Sequence, residues 1–375
     1  MPSRAGALHP IQRVTQIFRL EVSSLVRMLS IIHHLCRAPS SMCGGGSKDN
    51  FCVNQHRTAV IGLGVMGQRM LGNMDKYAGF EPVVVWDPDA DACAETQARY
   101  PQLRFAKTAG EAVAGADIDC VYIACPPRFH AEHALSAFAE GKAVWCEKPL
   151  GVDEVQSAEL AAAAERSGQV HIVNFSLANA IATAELEAAL ASNDLGDLQH
   201  VDLRLHFARW PRDWQAAAAG WLAYRHEGGF TREVVSHWVY LTARAMSMPK
   251  LQFARCRYPE GNLAETHLLA MLDVEGLPFS ISASTGGVGP DIIEYTVQGS
   301  KRGFRVRDWN VPLVSDGENW VACRDDVAVP RETGYEMQLK NAARAVAGES
   351  HGMPDFHMAL EVQRVVEAML GVGRG

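Results

Sequence analysis

At 375 residues, with 48% hydrophobic and 21% charged side chains, the chain is too long for one ordinary core and reads as a globular protein of two domains, neither fibrous nor disordered. A net charge of −8 offers no basic surface to nucleic acid or to an anionic membrane, though local amide donors can still hold phosphates. Nine cysteines without a CxxC pair support neither a zinc ribbon nor a thioredoxin-like site, and fit a reducing cytoplasm.

Residues 1–56 read as an extension outside the fold. Seven Lys/Arg between Met1 and Arg57 face only Glu21 and Asp49, and Gln16–Leu35 is apolar but broken by Arg19, Glu21 and Arg27. Such a segment is too interrupted to span a bilayer and shares its Arg-rich, amphipathic character with organelle transit peptides. The preferred reading is an over-long start, with Val53 as the true beginning. A chain starting there is expected to fold with the same melting temperature.

From Thr58 strands and helices alternate, which predicts a parallel α/β sheet over residues 57–176. The expected strands are Thr58–Ile61, Glu81–Trp86, Asp117–Ala124, Ala143–Cys146 and Val170–Phe175, with helices at His130–Glu140 and Val155–Ser167. Residues 177–375 follow a different grammar. A helix at Thr183–Ala191 precedes strands at Gln199–Phe207, Leu251–Tyr258, Thr266–Val274, Phe279–Ala283, Ile292–Val297 and Gly303–Val306. Strand after strand without intervening helices predicts an α+β domain with an open, mostly antiparallel sheet, closed by helices at Tyr335–Ala347 and Met358–Leu370. Its uncovered face would leave apolar surface, so a homo-dimer or homo-tetramer is expected and a monomer by light scattering would contradict it.

Two motifs carry chemistry. Gly62-Leu63-Gly64-Val65-Met66-Gly67 lies between a strand and a helix. There Gly62 permits the turn, Gly64 admits the pyrophosphate, and Gly67 lets the helix pack closely. Asp87 follows twenty residues after Gly67, where a carboxylate would bond the ribose hydroxyls, and Trp86–Asp89 holds no cation for a 2′-phosphate. NAD is therefore favoured over NADP; the alternative is that Asp87 only caps the next helix. The second motif, Glu147-Lys148-Pro149, ends a strand, where ligands gather in such sheets. Lys148 there could exchange a proton with a substrate hydroxyl or carbonyl, or could simply be a solvated lysine.

With Pro126, His130, Gly141 and Lys142 added to these motifs, the sequence closely resembles the Gfo/Idh/MocA oxidoreductases over about Thr58–Phe175. The resemblance implies a two-domain, usually oligomeric NAD(P)-dependent dehydrogenase of sugars, cyclitols or related polyols. It implies Lys148 at the substrate, Glu147 beside the nicotinamide ribose, and a cis Lys148–Pro149 bond. It also calls for a histidine in the second half. Gly228-Gly229-Phe230-Thr231-Arg232-Glu233-Val234-Val235-Ser236-His237 supplies one, with Glu233 four residues before His237 where the family often has Asp. On one helical face Glu233 would orient or charge His237.

His130 is expected to buttress the cofactor loop; with His133 it lacks a third metal ligand, and no metal site is expected. Arg232 reads as a solvent or interface residue that could contact an acidic substrate. Trp210, Trp214 and Trp221, with Arg209, Arg212 and Arg225, suit either a carbohydrate pocket or a core. A non-catalytic dinucleotide sensor, and a reductase of a cyclic imine or unsaturated ring, remain alternatives.

Overall fold

The computed structural model describes residues 55–324 and 330–371; the expectations placed on the N-terminal extension lie outside them. The first half runs β1 (His56–Ile61), α1 (Val65–Lys76), β2 (Phe80–Trp86), α2 (Ala90–Arg99), β3 (Arg104–Phe105), α3 (Ala109–Val113), β4 (Cys120–Ile123), α4 (His130–Ala139), β5 (Ala143–Glu147), α5 (Glu154–Ser167) and β6 (His171–Asn174). The six strands form a parallel sheet of order β3-β2-β1-β4-β5-β6. The order reverses between β1 and β4, and ligands bind such sheets at that switch point, outside the strands' carboxyl ends.

Alternation along the strands builds two cores. Ala59, Ile61, Val84, Val121, Ile123, Val144 and Cys146 face one side, while Val60, Val85, Tyr122 and Trp145 face the other. Successive side chains of a strand point to opposite faces, and a sheet buried on both faces needs apolar residues at every position.

The second half contains α6 (Ile181–Ala191), β7 (Leu198–Phe207), α7 (Ala219–Leu222), α8 (Ser236–Ala245), β8 (Lys250–Arg257), β9 (His267–Val274), β10 (Leu277–Thr285), β11 (Ile292–Gly299), β12 (Gly303–Arg307), β13 (Val311–Ser315), β14 (Val321–Ala322), α9 (Pro330–Val346) and α10 (Phe356–Gly371). Its eight strands are ordered β14-β13-β12-β11-β7-β10-β9-β8, antiparallel except for the β7/β10 pair. The short edge strands β3 and β14 and the strand β13 were not legible as periodic runs. Along β9 residues alternate exposed and buried, and Leu269, Met271 and the neighbouring Phe253 of β8 stand 56%, 43% and 52% exposed on the uncovered face. The open apolar face expected from the sequence is therefore present.

Helix α9 belongs by chain order to the second half, yet it packs on the first sheet. Leu339, Ala342 and Ala345 share a core with Phe80 and Trp145, and the His56 imidazole lies 3.0 Å from the Ala343 carbonyl. This return brings the first turns of α9 over the mouth of the switch point. Among the described residues no helix is long and apolar enough to cross a membrane.

Candidate active site

The glycine turn is built as the spacing predicts. Gly62 has φ +98° and a Cβ there would sit 2.6 Å from the Ala124 carbonyl carbon; a Cβ on Gly67 would sit 2.0 Å from the Gly62 carbonyl oxygen. A Cβ on Gly64 would meet nothing within 4 Å, and no side chain caps α1. The first amides of α1 are thus left to an anion, with the helix dipole behind them. Asp87 holds this turn: its carboxylate accepts from the Leu63 amide at 2.6 Å and from the Asp89 amide at 2.8 Å. The cap of α2 is Asp89, which accepts from Asp91 and Ala92, so Asp87 is not the helix cap.

His130 ties two loops together. Its ring nitrogens lie 2.9 Å from the Pro149 carbonyl and 2.9 Å from the Cys125 carbonyl, the residue before Pro126. The Lys148–Pro149 bond is cis, as is Trp210–Pro211. Lys142, matched above only as part of a motif, donates to the carbonyls of Gly115 and Ile118 at 2.9 and 2.8 Å and is structural.

Burial pushes the His130 imidazole down to about 4 and holds His237 well below its ordinary range, with Lys148 and Arg212 adding to the effect at His237. An unfolded chain protonates each near 6.5, whereas native His130 stays neutral until about pH 4. The unfolded state binds more protons in that window, so this contribution to stability is complete above pH 6.5 and is lost as pH falls toward 4, by roughly 1.4 kcal/mol per pH unit per histidine. Melting temperature should fall steadily across this window and fall less steeply in His130→Asn. Equal slopes for the two proteins would refute the assignment.

One cavity of about 630 Å³ gathers Met66 from α1, Glu147 and Lys148 from the end of β5, and Glu233 and His237 from the second half. Gly62, Gly64, Val65, Gly67, Asp87, Pro126 and His130 lie outside its wall. Glu147 is 5% exposed and accepts from Tyr122 and, at 2.7 Å, from Asn174; burial raises its carboxyl, opposed by those two hydrogen bonds and by Lys148.

The expected Glu233–His237 pair does not form. Lys148 donates to the Glu233 carbonyl at 3.0 Å and to its carboxylate, whose other oxygen accepts from Gln215 at 3.0 Å. The reason is local: Thr231–Val235 is a π-turn, bonded i to i+5, so residues four apart no longer stack as they do at about 3.6 residues per turn. His237 instead packs edge-on to Phe175 and Trp309, with Ser176 Oγ 3.4 Å from its Nδ1. Trp309 itself is held at φ +72°, an uncommon backbone for a bulky residue.

Arg232 also departs from expectation. It is 3% exposed, clamps Glu367 through two nitrogens and donates to the carbonyls of Arg225 and Gly228 at 2.7 and 2.8 Å. Of the three tryptophans and three arginines flagged together, only Trp214 and Arg212 line the cavity. Sequence reasoning missed Ser176, Asn174 and Gln215, whose polar type alone carried no periodic signal. Among the described residues no cluster of three metal-ligating side chains exists.

A parallel sheet with a glycine turn at its switch point, joined to an open eight-stranded, mostly antiparallel sheet with a shared cavity, defines a Rossmann-type α/β fold extended by a second sheet. Residues 56–175 match the GFO_IDH_MocA model, described as oxidoreductase family, NAD-binding Rossmann fold. Over these residues the chain is similar to the Gfo/Idh/MocA oxidoreductases. It is 29% identical over 175 residues to an uncharacterized oxidoreductase of Streptococcus pneumoniae, covering 45% of this chain and 44% of that one. It is 38% identical over 98 residues to inositol 2-dehydrogenase 3 of Saccharopolyspora erythraea, covering 26% and 29%. The matches thus span under half the length of these curated relatives. The WlbA dehydrogenase from Bordetella pertussis, solved with NADH and UDP-GlcNAcA, superposes with a TM-score of 0.72 at 20% identity over 85% of this chain and 96% of that one. At that identity the likeness is one of fold.

Proposed function

We propose that this protein is an NAD-dependent dehydrogenase moving hydride between the nicotinamide C4 and a carbon bearing a hydroxyl or carbonyl in a sugar, cyclitol or related polyol. The convergence of Lys148, Glu233 and His237 on one cavity, beside the glycine turn, carries this reading. The inositol dehydrogenase relative and the sugar nucleotide in the Bordetella structure support the substrate class. The dinucleotide fits the residues present: Gly64 opens onto free space and the α1 amides lack a side-chain cap.

Bound there, the nicotinamide supplies the hydride acceptor or donor. The protein's residues manage the proton. His237, kept neutral by burial, can accept a proton from a substrate hydroxyl, as a general base must. Lys148 uses two contacts on Glu233, and an ammonium has three donors, so one remains for the substrate oxygen. Glu233 and Gln215 fix the direction of that donor. An assay of NAD reduction across a panel of sugars, cyclitols and their acids tests the reading; no turnover with any of them would count against it.

Preference for NAD rests on Asp87. Asp87→Asn keeps an acceptor for the Leu63 amide while removing the charge that repels a 2′-phosphate. The unmutated protein should bind NADH more tightly than NADPH, and Asp87→Asn should narrow the difference. Equal affinities in the unmutated protein would refute this role.

A further inference from the structure

The cavity wall carries more positive charge than the proposed chemistry uses. Arg69 of α1, Arg212 before the turn Asp213–Ala218, and Arg331 of α9 all line it. The acids of the same wall are engaged elsewhere. Glu233 is held by Lys148 and Gln215, Glu147 by Tyr122 and Asn174, and Asp308 by Arg307 at 3.5 Å. Among the described residues none of the three guanidiniums has a carboxylate partner within salt-bridge distance: Arg69 donates to the Met66 sulfur, Arg212 to Gln215, and Arg331 lies 6.0 Å over the Tyr335 ring.

Aromatic packing holds this array in place. Arg69 and Arg212 sit on the same Trp214 ring at 4.8 and 4.7 Å, and Arg212 also lies 5.1 Å over Phe207. Burial disfavours charge on Arg212, and Arg69 and Arg331 press it the same way, against Glu233 and Asp291. Guanidiniums do not shed protons in proteins, so the like charges persist together. A neutral polyol offers nothing to offset that repulsion, whereas a carboxylate or phosphate does so through the bidentate geometry that arginine provides.

We propose that the substrate of this site is an anion, a sugar or cyclitol bearing a carboxylate or phosphate, gripped by Arg69, Arg212 and Arg331 beside Trp214. This deepens the dehydrogenase reading and rests on its placing the substrate in this cavity. The dinucleotide pyrophosphate is the other bearer of the same chemistry, and the experiment separates the two.

The full-length protein saturated with NADH is titrated calorimetrically with D-glucuronate, D-galacturonate and inositol monophosphate, and with the neutral parents D-glucose, D-galactose and myo-inositol. At least one anion should bind about tenfold or more tightly than its parent, the range expected for a charge-assisted hydrogen bond. Arg69→Met and Arg331→Met, which remove no backbone hydrogen bond, should each cut that preference by about tenfold. Arg212→Met should do so too, though it also frees Gln215. NADH affinity should change by less than about twofold, well inside the tenfold worth of 1.4 kcal/mol. Neutral parents binding as well as every anion would overturn the proposal, and would leave the dehydrogenase reading standing if those parents reduce NAD. Anion binding without turnover would support the anion site and count against the dehydrogenase reading. A loss of NADH affinity with anion preference intact would assign the arginines to the cofactor and overturn the proposal.

Discussion

Lys148→Met should lower turnover by about a hundred- to ten-thousand-fold, the usual contribution of a group acting on a proton in the transition state. Affinity for NADH should change by less than about tenfold, or 1.4 kcal/mol. The separation follows from position. The glycine turn and Asp87 hold one end of the cleft, while Lys148 lies at the end of β5 with its ammonium on Glu233. Methionine keeps the aliphatic stem, so the cavity wall should survive. Loss of the ammonium leaves Glu233 with only Gln215 as a side-chain partner, so the carboxylate should reorient. His237→Asn should also slow turnover. The double variant should lose less than the product of the two, because both residues serve one proton transfer. Near-normal turnover of Lys148→Met on an identified substrate would refute the catalytic assignment, and the assay that reads it is steady-state NADH formation.

Arg232→Met should destabilise the fold by about 3–5 kcal/mol, the cost of breaking a buried ion pair from one side. The guanidinium joins the Gly228 turn to Glu367 on α10 and fills four acceptors at once, on Glu367, Arg225 and Gly228. Methionine has no donor, so a mostly buried carboxylate and two carbonyls would lose their partner. The π-turn carrying Glu233 begins directly beside this clamp, so loosening it should lower turnover as well as stability. Adding Glu367→Gln should recover part of the loss, since the uncompensated charge disappears. A urea midpoint unchanged in Arg232→Met would show that the clamp contributes nothing.

What could be read in advance was what short-range physics determines. A strand buried on both faces needs an unbroken apolar run, so Val83–Trp86 and Cys120–Ile123 announced themselves. The glycines at 62, 64 and 67 act within one turn, and their spacing alone sets where the amides point. Lys148 was found because it follows such a strand. The two carbonyls that His130 meets belong to Pro149 and Cys125, within and beside motifs already recognised in the sequence.

Long-range geometry settled the rest. Glu233 and His237 stand at helical spacing, but the π-turn alters the phase, and Lys148, far away in the chain, captures the carboxylate. Arg232 looked like a surface cation because nothing near it in sequence announces Glu367, which reaches it only when α10 packs back. Arg212 and Trp214 lie in an aperiodic segment, and Arg331 and Tyr335 enter the cavity because α9 returns to the first sheet. The local sequence thus determined the cofactor turn and its strand-end lysine, since backbone sterics and two-residue alternation act over a few residues. Only the tertiary structure decided which charges meet, because an ion pair is chosen by distance in space, and the packing of remote helices sets that distance.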